Sequence, residues 1–356
     1  MMGRKIIGLV AGATVVTFLV VAPYVVNAFY IRILTEVLIF GLFATSINIL
    51  VGYTGLPTLG HAGIFGVSAY AVGYFTVRAE QPLWVVIPAA LLAALVVSVL
   101  FGAMAVRTSG IYFLMITLAQ GMIVWGLAFR WFSVTGAENG IAGIVRPEIL
   151  APYWVYYWFV LAVVALMIVS VHKLKRSCFG LTLQGIRERE ARMASLGYHV
   201  VLHKFLSFMA AGSVAGVAGI LFAYHNNFVS PIAVEFTSSA EGILMVILGS
   251  AGTLLGPLVG STVIVFTRQQ VSLFTDRWLM ILGGIFVITM LVAPEGLVTG
   301  ARRLAVRVFG RPPRPSPVKA EPQELPAGTG VGREKTGEGD VAVRAKGVSL
   351  GRPDDG

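Results

Sequence analysis

Few residues in this chain have the types and spacing that chemistry needs. There are five histidines and one cysteine, Cys178, so neither an internal disulfide nor a thiolate metal cluster is possible. No second His, Cys or carboxylate stands at metal-ligand spacing from His61, and no metal site is expected. The sequence offers no paired acids, Ser/Lys dyad or phosphate loop ending in Gly-Lys-Ser/Thr, so neither an intramembrane enzyme nor an ATPase is expected. Asn48, Gln120 and Glu241 instead stand inside apolar runs. Uncompensated, each would be costly in lipid, so each should face a bundle interior or a cavity, as an interhelical hydrogen bond or as a substrate contact. Glu235 and Glu241 are the only nearby carboxylate pair, expected near the outer boundary.

Two glycine-rich segments interrupt the apolar runs. The first runs from Gly52 to Gly63, with Thr54, Gly55, Pro57, Thr58, Gly60 and His61; the second runs from Gly249 through Gly252 and Gly256 to Gly260. Small residues let helices approach closely, and Pro57 breaks any helix through the first segment. Broken backbone at membrane depth is tolerated only against protein or a water-filled cavity. Each segment is therefore either a tight inter-helix turn or part of a substrate path. Their occurrence in the two halves of the chain is the pattern of internal duplication in transporters.

A third feature is basic. The segment Lys173 to Lys204 holds seven Lys/Arg against two acids. Within it, Leu183, Ile186, Ala191, Ala194 and Leu196 form an apolar stripe, with charges on the other faces and Glu188 and Arg192 as i,i+4 partners. Gly197 is placed to cap it. The spacing predicts one short surface helix, able to lie on a bilayer or to dock in a partner's groove.

The elements that must position these residues follow from composition. Of 356 residues, 56% are hydrophobic and 12% charged, and the mean hydropathy is +0.82. A soluble core cannot hide that much apolar surface. Apolar runs of membrane-spanning length fall at roughly 6–28, 33–51, 59–76, 83–105, 111–132, 153–172, 204–224, 233–249, 256–273 and 278–294. The expected fold is all-α and polytopic, with ten spans over residues 1–300. Residues 301–356, rich in Gly, Pro and charge, form a disordered basic tail. With ten spans, Arg4 and Lys5, the 173–204 segment, and Arg302, Arg303, Arg307 and Arg311 all fall on one side. By the positive-inside rule that side is cytoplasmic, as are both termini, and 133–152 faces outward. The net charge of +10 thus reads as membrane topology and not as nucleic-acid binding.

Several motifs in order resemble the LivH/LivM permeases, the membrane subunits of bacterial branched-chain amino acid ABC importers. They are Asn48–Gly55 with Leu59–Ala62 and Gly66–Tyr70, Arg107–Phe113 with Thr117–Gln120, Thr135–Gly140, Phe179–Gly197 and Gly249–Gly260. Arg107–Phe113 with Thr117–Gln120, and Thr135–Gly140, resemble those of the LivM member. The resemblance implies a multi-pass inner-membrane subunit paired with a LivH-like second permease, two ABC ATPases and an extracytoplasmic substrate-binding protein. ATP and Mg would be bound by the ATPases, with no cofactor on this chain. It also implies that 179–198 is a coupling helix, with Arg187, Glu190, Ala191, Ala194 and Gly197 at the ATPase surface. Asn48, Thr54, Thr58, His61, Gln120 and Glu241 are the substrate-path candidates; Gly52, Gly55, Gly60, Gly249, Gly252 and Gly256 are structural. A urea or short-chain amide importer shares these motifs, and a stand-alone secondary transporter is the alternative of a different class.

Overall fold

The computed structural model describes residues 27–272 without a break, together with Pro23 and scattered residues of 280–300. The runs at 6–28 and 278–294 lie largely outside the described residues, and the tail expected at 301–356 lies wholly outside them. Contacts separate a unit Met1–Gly310 from a unit Arg311–Gly356, and only the first contains described residues.

The remaining eight apolar runs each become helix. They are α1 (Ala28–Asn48, continued by a π-helical turn Ile49–Thr54), α2 (His61–Gly73, continued as a π turn to Arg78), α3 (Leu83–Ala105), α4 (Gly110–Arg130), α6 (Tyr153–Arg176), α9 (Val200–Asn226), α10 (Phe236–Gly249) and α11 (Gly256–Val271). Short helices α5 (Phe132–Thr135), α7 (Cys178–Glu188) and α8 (Glu190–Ser195) lie in the connections. A two-residue strand β1 (Ile141–Ala142) pairs antiparallel with β2 (Phe228–Val229). Among the described residues, five helices are long and apolar enough to cross a membrane, so the chain is a multi-pass, mainly helical membrane protein.

Burial sorts these helices into layers. The most apolar stretch of α1 is 89% buried and that of α9 61%, against 22–28% for α3, α4 and α6. So α1 is the axis, α9 lies beside it, and the other three present apolar flanks outward. Lipid tails are as apolar as leucine, so what draws these helices together is close packing and interhelical hydrogen bonding. Phe40, Phe43, Phe65 and Phe222 interlock at the centre, with Phe43 and Phe65 ring centroids 4.8 Å apart. Gly212 and Gly216 let α9 press onto Ser98 and Ala94 of α3. Tyr156 Oη donates to the Leu221 carbonyl at 2.6 Å, and Ser261 Oγ to that of Val37 at 3.1 Å.

The connections gather at two ends, as an alternating path requires. Residues 133–152 and 225–230 meet at one, through β1–β2 and through Arg146, which donates from Nε and Nη2 to the Tyr224 and His225 carbonyls that end α9. Lys175, Arg187 and both glycine-rich segments meet at the other, here called the basic end.

Two expectations are corrected. The run at 233–249 is not a full span. Helix α10 has 14 residues and is about 21 Å long, short of a ~30 Å hydrocarbon core. Pro231 starts a short 3-10 turn and Glu235 is extended, so helix begins only at Phe236. The chain before it descends alongside α2: Gly73 lies against Ile141, the partner of Val229; Gly66 against Val234; and Ala62 N donates to Ser239 Oγ at 3.0 Å. At 1.5 Å per residue of α2, the seven residues from Gly73 to Gly66 span about 10 Å, so segment 229–235 enters by that much before regular helix starts at Phe236.

The surface helix expected at 179–198 is also two helices, α7 and α8, broken where Arg189 turns extended (φ −155°, ψ 99°). Glu188 and Arg192 therefore do not share one continuous helix. The break lets Met193 fold back onto Gly185, and lets Glu190 accept from Lys204 Nζ at 2.7 Å.

Candidate functional site

Helix α7 is capped by Ser177, whose hydroxyl accepts from Gly180 N, and buries Leu183 and Ile186 against the bundle. Arg187, next along, reaches inward. Its Nη1 donates to the Gly52 carbonyl and its Cγ lies over Gly55, where φ is +77°. That left-handed backbone is one that glycine adopts without strain. Lys175, at the end of α6, donates from Nζ to the Gly252 carbonyl at 2.7 Å and sits over the Tyr53 ring, 4.8 Å from its centroid.

Asn48 closes the junction. Its Oδ1 accepts from Gly252 N at 2.8 Å and its Nδ2 donates to the Thr253 carbonyl at 2.8 Å, so one buried amide staples the two glycine-rich segments together. Gly249 and Gly256 lie against each other at the mouth of the second segment. Four separate stretches of sequence thus share one hydrogen-bonded node. A displacement of α7 would bear on the turn between α1 and α2 and on that between α10 and α11.

The outer surface of this node is different in kind. Ala191, Ala194, Leu196 and Tyr198 are exposed, while Leu183 and Ile186 of the expected stripe are buried in the chain itself. Gly197, at φ +85°, ends α8; its N–H bonds to the Ala194 carbonyl and that of Tyr198 to Met193. Arg187 thus bonds to the membrane bundle through its guanidinium while remaining, like Ala191, an exposed residue.

The other expected residues lie deeper. His61 heads α2, fully buried between the rings of Phe43 and Phe208. Thr58 is fully buried. Thr54 donates to the Ile49 carbonyl at 3.1 Å and belongs to the π turn. Gln120 is buried on α4, donating to the Phe101 carbonyl at 3.2 Å. Gly60 presses α2 onto Thr117 of α4, whose Oγ1 accepts from Leu59 N at 3.2 Å.

Glu241 lies elsewhere, toward mid-depth, in an ion cluster. Arg268 of α11 bridges it, at 3.1 Å, to Glu36 of α1, and Gln269 donates to the second Glu36 oxygen at 2.7 Å. The Arg268 guanidinium also covers the Phe40 ring. The sequence reading passed over Glu36 and Arg268. The signal was there, since each is a charge inside an apolar run, and such charges seldom stand unpaired.

The chain matches the family described as the permease component of branched-chain amino acid transport systems over residues 29–290. It is also similar to the high-affinity branched-chain amino acid transport system permease protein LivM of Salmonella typhimurium. The two are 27% identical over 307 residues, covering 79% of this chain and 72% of the relative. The LivM protein of Escherichia coli gives the same identity over the same shares.

Proposed function

Because the chain belongs to the permease family of branched-chain amino acid transport systems, we propose that it is the LivM-like membrane subunit of an ATP-driven importer. A second, LivH-like permease completes the path through the inner membrane, two ATPase subunits supply ATP and Mg on the cytoplasmic side, and an extracytoplasmic binding protein delivers the amino acid. The basic end is cytoplasmic and 133–152 faces outward. Catalysis of ATP hydrolysis belongs to the partners and not to this chain.

The observation that carries this reading is the node beneath α7. A surface helix that only lay on lipid would have no use for bonds to two distant backbone turns. Here α7 is tied through Arg187 to the first glycine-rich segment, with Lys175 and Asn48 tying in the second, while the Ala191–Ala194 surface stays open for a partner. ATPase closure on that surface would move α7, and the node would pass the movement to α2 and α10, joined at Ala62 and Ser239. The test is co-purification with ATPase subunits co-expressed with this chain, and binding-protein-stimulated hydrolysis of the purified complex. A chain that recruits no ATPase sinks the proposal.

A stand-alone ion-coupled transporter has one observation in its favour, the two carboxylates Glu36 and Glu241 inside the bundle. Arg268 bridges both, so neither is left open to a coupling cation.

A further inference from the structure

We infer that the irregular segment leading into α10, with the first turn of that helix, is the water-accessible wall along which the substrate passes, with Ile232, Glu235, Phe236 and Ser238 facing the cargo. The inference rests on the importer reading and deepens it by naming a contact surface and the chemistry it fits.

Three observations converge on this surface. The first is depth. Val234 packs on Gly66, which stands 12 residues, or about 18 Å of helix, from Arg78 at the end of α2. The segment therefore lies well inside the bilayer. The second is side-chain direction. Pro231, Ala233 and Val234 are buried against the bundle, whereas Ile232 is 70% exposed, Phe236 43% exposed, and Glu235 and Ser238 are half-buried. The third is polarity. The backbone here is not continuous helix, Ser238 Oγ donates to the Ile232 carbonyl, and the Glu235 carboxylate has no cationic partner among the described residues.

Lipid cannot cover such a surface. Irregular backbone and a carboxylate at membrane depth need protein or water beside them. A dry protein interface fits poorly too, because an unpaired carboxylate buried there is strongly destabilising. Water in a path solves both problems. The same surface complements one class of cargo, a small zwitterion with an apolar side chain. Ile232 and Phe236 would take the branched alkyl group, and Glu235 the ammonium. An amide without a cationic group could donate only a neutral N–H to Glu235 and would lack the charge pairing.

The experiment uses the full complex with Cys178→Ser and single Ile232→Cys, Phe236→Cys or Ser238→Cys changes, in membranes open to reagent from both faces. A membrane-impermeant thiol reagent should label positions 232 and 236, and saturating leucine with the binding protein should slow that labelling several-fold. Reaction only with a lipid-partitioned maleimide, as at a Leu166→Cys control on the lipid side of α6, overturns the inference. So does reactivity in the isolated chain that vanishes in the complex, which makes the surface a permease–permease contact. A second arm spares the fold: Glu235→Gln should raise the half-saturating leucine concentration several-fold while Glu235→Asp changes it less. Equal values in wild type and Glu235→Gln remove the carboxylate from the path. Labelling of 232 and 236 in the absence of leucine reads water access whether or not the ATPases act, so its failure is distinct from failure of the importer reading, which ATPase co-purification tests.

Discussion

Replacing Gly60 by alanine isolates the packing that sets the head of α2. Gly60 has an ordinary backbone (φ −102°, ψ 4°), so alanine meets no conformational penalty there. Its Cβ would instead stand 2.0 Å from the Thr117 carbonyl oxygen and 2.9 Å from the carbonyl carbon, both backbone atoms of α4. Relief needs the two helices to part by about an ångström, a small-to-large change that typically costs ~1–3 kcal/mol. Parting them also strains the part-buried bond from Leu59 N to Thr117 Oγ1, worth about 1 kcal/mol. A loss of roughly 3 kcal/mol follows. The sequence alone suggests that alanine is milder than valine here, but the geometry puts the clash at the first carbon, so both should fail. Gly55→Ala is the contrast. Its left-handed φ costs about 1–2 kcal/mol, but its nearest neighbour is the flexible stem of Arg187 at 2.9 Å. Gly126→Ala on α4 meets nothing within 4 Å and should be neutral or slightly stabilising. The assay is the monodisperse fraction surviving a temperature series in detergent. The midpoint should fall by on the order of 10 °C for Gly60→Ala, from ~2–4 °C per kcal/mol, less for Gly55→Ala, and not at all for Gly126→Ala. A Gly60→Ala midpoint equal to that of Gly126→Ala would refute the close approach.

Three further outcomes can be measured. Arg268→Met leaves Glu36 and Glu241 facing each other without their cation, and should cost about 3–5 kcal/mol in the same thermal assay; Glu36→Gln, which keeps a polar group beside Arg268, should cost less, and the reverse order would contradict the bridge. Ala191→Arg places a bulky charge on the open face of α8, so ATPase co-purification and stimulated hydrolysis should be lost at normal membrane levels; wild-type values would make that face a plain surface. In a Cys178→Ser background, an impermeant reagent added outside should label Asn139→Cys and spare Ser195→Cys, and the opposite pattern would invert the topology.

Much of the architecture was legible in the sequence because long apolar runs leave a chain little choice. With no water at the centre of a bilayer, backbone groups must bond within each run, and helix follows. All eight runs in the described region are helix, and Asn48, Gln120 and Glu241 are all buried, as their cost in lipid demands. What escaped the reading was tertiary or local. Composition cannot say that Gly52 and Gly252, two hundred residues apart, meet through the Asn48 amide. The break at Arg189 goes with Met193 seating on Gly185 and Glu190 pairing with Lys204, contacts that helix periodicity does not encode. The re-entry before α10 had a local signal, Ser230-Pro231 followed by Glu235, outweighed by the apolar residues after it. Glu36 and Arg268 were each visible as lone charges in apolar runs, but pairing them required the helices to be placed.

Uptake in proteoliposomes tests the central claim most directly. The chain is reconstituted with its co-purifying permease and ATPases, ATP is enclosed on the ATPase side, and labelled leucine is added outside with the binding protein. Accumulation should require ATP and the binding protein, should survive an ionophore that collapses ion gradients, and should vanish with Ala191→Arg. Leucine and valine should compete for it, while urea and acetamide should not. Uptake that runs without ATP and stops with the ionophore would contradict the account and make this chain a secondary transporter. ATP-driven uptake of urea or acetamide in place of leucine would contradict the assigned cargo.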